Sequence, residues 1–65
     1  MSIGANLKEI RKARGMTLEA LGKAVGISQP MLTQIERGTK PISLGLATEV
    51  CDVLGCKLED LLKGV

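Results

Sequence analysis

Between Thr17 and Arg37 the sequence reads TLEALGKAVGISQPMLTQIER, two short amphipathic patterns that meet at Gly26 with almost no chain between them. The first places Leu18, Leu21 and Val25 at i, i+3 and i+7, one stripe of an α-helix, with Glu19 and Lys23 directed away from it. Thr17 precedes this stripe as an N-cap. Gly26 can take the left-handed conformation that ends a helix, which returns Ile27 to the core and leaves Ser28 to offer a second capping oxygen. The second pattern buries Leu32 and Ile35, with Met31 beside them, and turns Gln29, Thr33, Gln34 and Arg37 outward. That outer face is polar yet almost uncharged, which is unusual for a helix that is merely solvated. Gly22 lies where the two helices approach, and a residue without a Cβ lets their backbones cross closely at a steep angle.

Two helices joined by so tight a turn form a helix-turn-helix unit. The rest of the chain supplies three more helices and an all-α fold. A first helix over about Ile3 to Ala13, capped by Ser2 and stopped by Gly15, carries Ile3, Leu7 and Ile10 on its inner stripe. A turn through Gly38, Thr39, Lys40 and Pro41 leads to a fourth helix, capped by Ser43, with Leu46, Ala47, Val50, Val53 and Leu54 as its apolar positions. A last short helix, about Leu58 to Lys63, sets Leu58, Leu61 and Leu62 over the core. The 65 residues are read as one domain, 1–65, with no repeat, linker or low-complexity segment.

Composition limits what such a domain can do. There is no His, Phe, Tyr or Trp, so the core is built from aliphatic residues, Met and Ala. Without His, a nucleophile–base pair has little to draw on, and no Ser, Thr or Cys has a partner at motif spacing. No catalytic residue, metal site or cofactor is expected. Cys51 and Cys56 cannot complete a zinc site by themselves. Both are read as small buried apolar residues whose side chains need not face each other, so no intrachain disulfide is expected. No basic region followed by an apolar run opens the chain, and no stretch approaches the roughly 20 apolar residues that span a bilayer, which points to a cytoplasmic protein with no membrane partner. Charge is unevenly spread. Residues 1–40 hold seven basic and three acidic side chains, a net +4, whereas residues 41–65 hold two and four, a net −2. A polyanion therefore prefers the N-terminal part of the chain.

The run Leu7, Ile10, Arg11, the triplet Gly15-Met16-Thr17, Gly22, the turn Gly26-Ile27-Ser28-Gln29, the ending Ile35-Glu36-Arg37-Gly38, Pro41, and the closing Leu54-Gly55, Leu58 and Leu61-Leu62 occur in an order and spacing that is quite specific. Together they resemble the lambda-type repressor and Cro (XRE-like) helix-turn-helix family. The resemblance covers most of the chain and implies a compact five-helix DNA-binding domain. One position departs from it: Leu18 stands where family members often carry a Gln that reaches a phosphate and braces the recognition helix.

Read through that resemblance, Gln29 is the foremost base-reading residue, because helix-turn-helix proteins set the start of the third helix against base edges in the major groove. Its carboxamide can pair with adenine N7 and N6 together. Pro30 fixes the geometry of the first turn, and its ring can touch a thymine methyl; it also leaves open whether Ser28 or Gln29 is the true cap. Gln34 reaches a base further along the groove, while Thr33 offers either a hydroxyl to phosphate or a methyl to thymine. Met31 is read as either half-buried or an apolar probe of the groove. Thr17, Ser28, Arg37 and Lys40 are expected on the sugar-phosphate backbone, where contacts set register without reading sequence. Lys8, Lys12 and Arg14 add to the same positive field. Arg11 and Glu36 match a family pair that forms a structural salt bridge between the first and third helices.

The function implied is a sequence-specific transcriptional regulator, a repressor or autoregulator, that grips a pseudo-palindromic operator in double-stranded DNA as a homodimer. Its dimer surface is placed near the end of the fourth helix and at Leu58, Leu62 and Val65. No small-molecule ligand is evident. The alternative is a protein-binding module such as the antitoxin of a toxin–antitoxin pair.

Overall fold

The computed structural model describes residues 2–65. Among them run five helices: α1 Ile3–Ala13, α2 Leu18–Val25, α3 Gln29–Arg37, α4 Leu44–Leu54 and α5 Leu58–Leu61. Hydroxyl side chains decide where four of them start. The Oγ atoms of Ser2, Ser28 and Ser43 and Oγ1 of Thr17 each accept the backbone N–H three residues on, at 3.1, 3.3, 3.1 and 3.0 Å respectively. Each such cap satisfies a donor the helix cannot, and is worth about 1 kcal/mol. Ser28 is thus the cap of α3, in extended backbone at φ −66° and ψ 151°, and Gln29 and Pro30 form the first turn. α5 starts differently, with the Asp60 carboxylate accepting the Lys57 N–H at 2.9 Å.

α4 supplies the centre of the core. Its Ala47, Val50, Cys51 and Leu54 recur at helical spacing, are all at most 5% exposed, and meet Leu7, Leu21, Leu32, Ile35 and Leu61 from the other four helices. α1 packs on α3 and α5, α2 on α3 and α4, and α4 on α5. No described helix is long and apolar enough to cross a membrane.

Two expectations need correcting at the C-terminal end. α5 is a single turn that stops at Leu61, short of Lys63, and only Leu61 is buried, while Leu58 is 38% and Leu62 49% exposed. α5 is seated mainly on α1 and α4, which cover Leu61 and leave Leu58 and Leu62 at the border of an open groove. Val53, at the edge of the α4 stripe, is likewise exposed.

Three residues hold the helices together in ways local patterns do not show. The buried Asn6 donates from Nδ2 to the carbonyls of Leu61 and Lys63, both at 2.8 Å, pinning α5 and the turn after it to α1. Arg14 is engaged too: its Nε donates to the Leu54 carbonyl at 2.8 Å, so it ties α1 to the end of α4 and is not a free surface charge. Gly4 lies against the backbone of α3, where a Cβ would collide with the Ile35 carbonyl oxygen and stand 2.8 Å from that of Glu36.

Candidate nucleic-acid interface

The surface expected to meet DNA is built around α3, and three contacts fix how that helix sits. Gly22 of α2 lies against the turn. A Cβ there would be 2.5 Å from the Ile27 carbonyl oxygen but in ordinary contact, 3.5 Å, with Leu32 Cδ1, so the close approach that requires glycine is to the turn itself and not to α3. Ile27 N–H donates to the Gly22 carbonyl at 2.9 Å, closing the turn over Gly26 in the left-handed region at φ 72°.

The third contact is ionic. Arg11 reaches from α1 to Glu36 of α3 with two parallel bonds, Nε to Oε2 at 2.8 Å and Nη2 to Oε1 at 3.1 Å, while Nη1 donates to the Met16 carbonyl at 2.8 Å. The Arg11 and Glu36 side chains are only 9% and 5% exposed. Desolvating both charges is costly, and the bidentate geometry with its extra carbonyl acceptor is what offsets that cost. Neither side chain is left to bind phosphate. α3 is therefore clamped on one side by α2 through the turn against Gly22 and on the other by α1 through the ion pair.

With Leu32, Ile35 and Glu36 facing inward, α3 turns Gln29, Pro30, Gln34 and Arg37 into solvent. The carboxamides of Gln29 and Gln34 have no hydrogen-bond partner among the described residues, so their donors and acceptors are all available. Thr33 is half-buried and its hydroxyl donates to the Gln29 carbonyl at 3.0 Å. In this arrangement the Thr33 hydroxyl proton is directed within the helix and not outward. Met31 is half-buried against the core, the first of the two readings allowed for it.

The expected backbone contacts fall at both ends of this face. Thr17 and Ser28 cap α2 and α3 by accepting, so each hydroxyl keeps its own proton to donate to an outside acceptor. Beside each lie the unpaired N–H groups of a helix N-terminus, a favourable place for a phosphate. At the other end Gly38, at φ 82°, stops α3, and the Gln34 carbonyl then accepts from the N–H groups of Thr39 and Lys40 at 3.0 and 3.3 Å and from Thr39 Oγ1 at 3.1 Å. This fixed corner sets Lys40 just past Arg37. Both cations are exposed, and neither forms an ion pair among the described residues; the same holds for Lys8 and Lys12. Lys23, by contrast, is paired with Glu19 at 3.3 Å. Among the described residues no group of three or more His, Cys, Asp or Glu side chains is placed to hold a metal ion.

Known proteins share this architecture. YazB of Bacillus subtilis, an HTH-type transcriptional regulator, is 36% identical over 58 residues, which is 89% of this chain and 84% of YazB. The crystal structure of the clp gene regulator ClgR from Corynebacterium glutamicum superposes with a TM-score of 0.89 at 38% identity, over 92% of this chain and 64% of the ClgR chain. That of SinR, the master regulator for biofilm formation, in complex with DNA, superposes with a TM-score of 0.86 at 31% identity, over 94% of this chain and 98% of SinR. Residues 7–61 match the model of the family described as helix-turn-helix, a span that takes in every buried apolar residue of the core from Leu7 to Leu61, and the chain belongs to that family.

Proposed function

We propose that this chain is a transcriptional regulator that binds specific sequences in double-stranded DNA by laying α3 in the major groove. One observation carries the reading. The only face of α3 left to solvent is a short, almost uncharged polar strip, held rigidly by the turn against Gly22 on one side and Arg11–Glu36 on the other. A strip of unpaired carboxamides suits base edges, whose pattern of donors and acceptors is what distinguishes one base pair from another. In this reading Gln29, Pro30, Gln34 and the Thr33 methyl contact bases, and Thr17, Ser28, Arg37 and Lys40 contact phosphates. SinR, of the same fold, has been crystallised with DNA.

A single α3 covers only a few base pairs, so useful specificity asks for two, presented about one helical turn apart by a homodimer. An apolar surface that borders the DNA-facing side at Lys40 supports this. Leu44 and Val65 are each 71% exposed, and with Leu58 and Leu62 they border shallow grooves that share Ile3 and Ile42. Large exposed apolar side chains gathered on one side are characteristic of an interaction surface. Such a dimer would act as a repressor or autoregulator by occupying its operator.

Selection from a random pool of duplexes at about 0.15 M salt, where non-specific binding is suppressed, tests this. Enrichment of a two-fold symmetric motif is expected. Salt-sensitive binding with no motif would sink it and favour the antitoxin-like reading, in which the chain's main ligand is a protein.

A further inference from the structure

Cys51 and Cys56 take no part in the surface just described, and the end of α4 brings them together. Cys56 N–H donates to the Cys51 carbonyl at 3.0 Å, across Gly55 in the left-handed region at φ 69°. This is the Schellman ending of a helix, in which the residue after the glycine folds back over the residue five positions earlier, so that their two side chains meet. On an uninterrupted helix the same spacing would point them to different faces; the glycine ending is what changes this. Both are free thiols, and Cys56 packs against the core cluster that contains Cys51.

The two differ in access. Cys51 is only 5% exposed within the core, whereas Cys56 is half-buried and lines an open cleft with Asn6, Glu9, Ile10, Asp60 and Lys63. Burial, and then the neighbouring Cys56, push the Cys51 thiol up to about 11, so Cys51 keeps its proton at neutral pH. One thiol is reachable from solvent, and a protonated partner waits behind it.

We propose that Cys51 and Cys56 form a two-thiol oxidation site that closes reversibly to an intrachain disulfide when the protein meets a hydroperoxide. Cys56 Sγ attacks the outer oxygen of the peroxide. The O–O bond breaks, the departing hydroxide takes the Cys56 proton as water, and Cys56 becomes a sulfenic acid. Cys51 Sγ then attacks the Cys56 sulfur, the S–O bond breaks, and the departing hydroxide takes the Cys51 proton as a second water. In sum the two thiols give up two electrons and two protons, and hydrogen peroxide is reduced to two waters. A dithiol reductant reverses the change by exchange.

The test uses the reduced, unaltered chain, dilute enough to disfavour contact between molecules, treated with an equimolar amount of hydrogen peroxide and weighed intact by mass spectrometry. The expected product is a monomer that has lost two hydrogens, no longer reacts with iodoacetamide, and regains two alkylatable thiols after dithiothreitol. The Cys51→Ala variant, which has no second thiol, should instead gain oxygen at Cys56. Oxygen addition to the unaltered chain without loss of hydrogen, a covalent dimer linked through Cys56, or an unchanged mass would each overturn the proposal.

Discussion

α3 and α5 are both short helices that follow a glycine turn, yet the fold treats them in opposite ways. α3 has nine residues and is gripped by α1 and α2, so its inward face is fully committed to Leu32, Ile35 and the Glu36 ion pair. α5 has four residues, rests on α1 and α4, and commits only Leu61. The difference teaches where function has room. Because the inner face of α3 is fixed by several independent contacts, its outer face is free to carry polar groups that stabilise nothing within the chain. Around α5, Leu58 and Leu62 stay exposed among charged Lys57, Glu59 and Lys63, apolar side chains the monomer does not need, which is the pattern of a surface that awaits a partner.

That contrast can be broken most sharply at the ion pair. Glu36→Ala leaves the Arg11 guanidinium buried without its counter-charge, and is expected to cost about 3–5 kcal/mol, enough to leave so small a domain largely unfolded. Urea denaturation followed by circular dichroism reads this directly. A loss below about 1 kcal/mol would show that α3 is held without Arg11–Glu36. The corresponding test at the other end is Asn6→Ala. It removes both hydrogen bonds to Leu61 and Lys63 and leaves two carbonyls short of a donor, at an expected cost of about 1–3 kcal/mol. Amide exchange should then quicken first in α5 and the turn after it; uniform quickening across all helices would mean that Asn6 serves the whole core and not this latch.

Much of this was legible in the sequence, and what was missed has a common cause. Capping hydroxyls, helical stripes and the turn at Gly26 act over a few residues, so Ser2, Thr17, Ser28 and Ser43 mark their helix starts without reference to the rest of the chain. Asn6 depends on carbonyls 55 and 57 positions away, and Arg14 on one 40 away, so no local pattern announces them. Gly4 left no usable signal either: Gly45 stands at the same place in the first turn of α4, yet nothing lies within 4 Å of where its Cβ would be. Leu58 and Leu62 misled because apolar spacing tells which side chains share a face, and not whether any neighbour covers that face. For the DNA-facing residues, the structure adds the hydrogen bond that occupies the Thr33 hydroxyl and the glycine that must pack on the Ile27 carbonyl.

On the polar face of α3, Gln29→Ala is expected to weaken binding to the selected operator by about 1–3 kcal/mol, measured by titration of a labelled duplex. Unfolding stability should stay within about 0.5 kcal/mol, because the Gln29 carboxamide touches nothing in the chain. Equal losses for Gln29→Ala and Glu36→Ala in thermal stability would erase the distinction between the two faces of α3.

The smallest effect on the fold is expected at Leu62→Lys. Its side chain is 49% exposed and lies outside the core, so monomer stability should change by less than about 0.5 kcal/mol. If the exposed leucines around α5 are where two copies meet, a lysine placed there on both protomers sets like charges against each other where leucines had packed. Sedimentation should then shift from dimer toward monomer, and affinity for a two-half-site operator should fall while affinity for a single half-site is kept. A dimer that persists unchanged would move the interface elsewhere, and the exposed leucines around α5 would then have to be explained by a different partner.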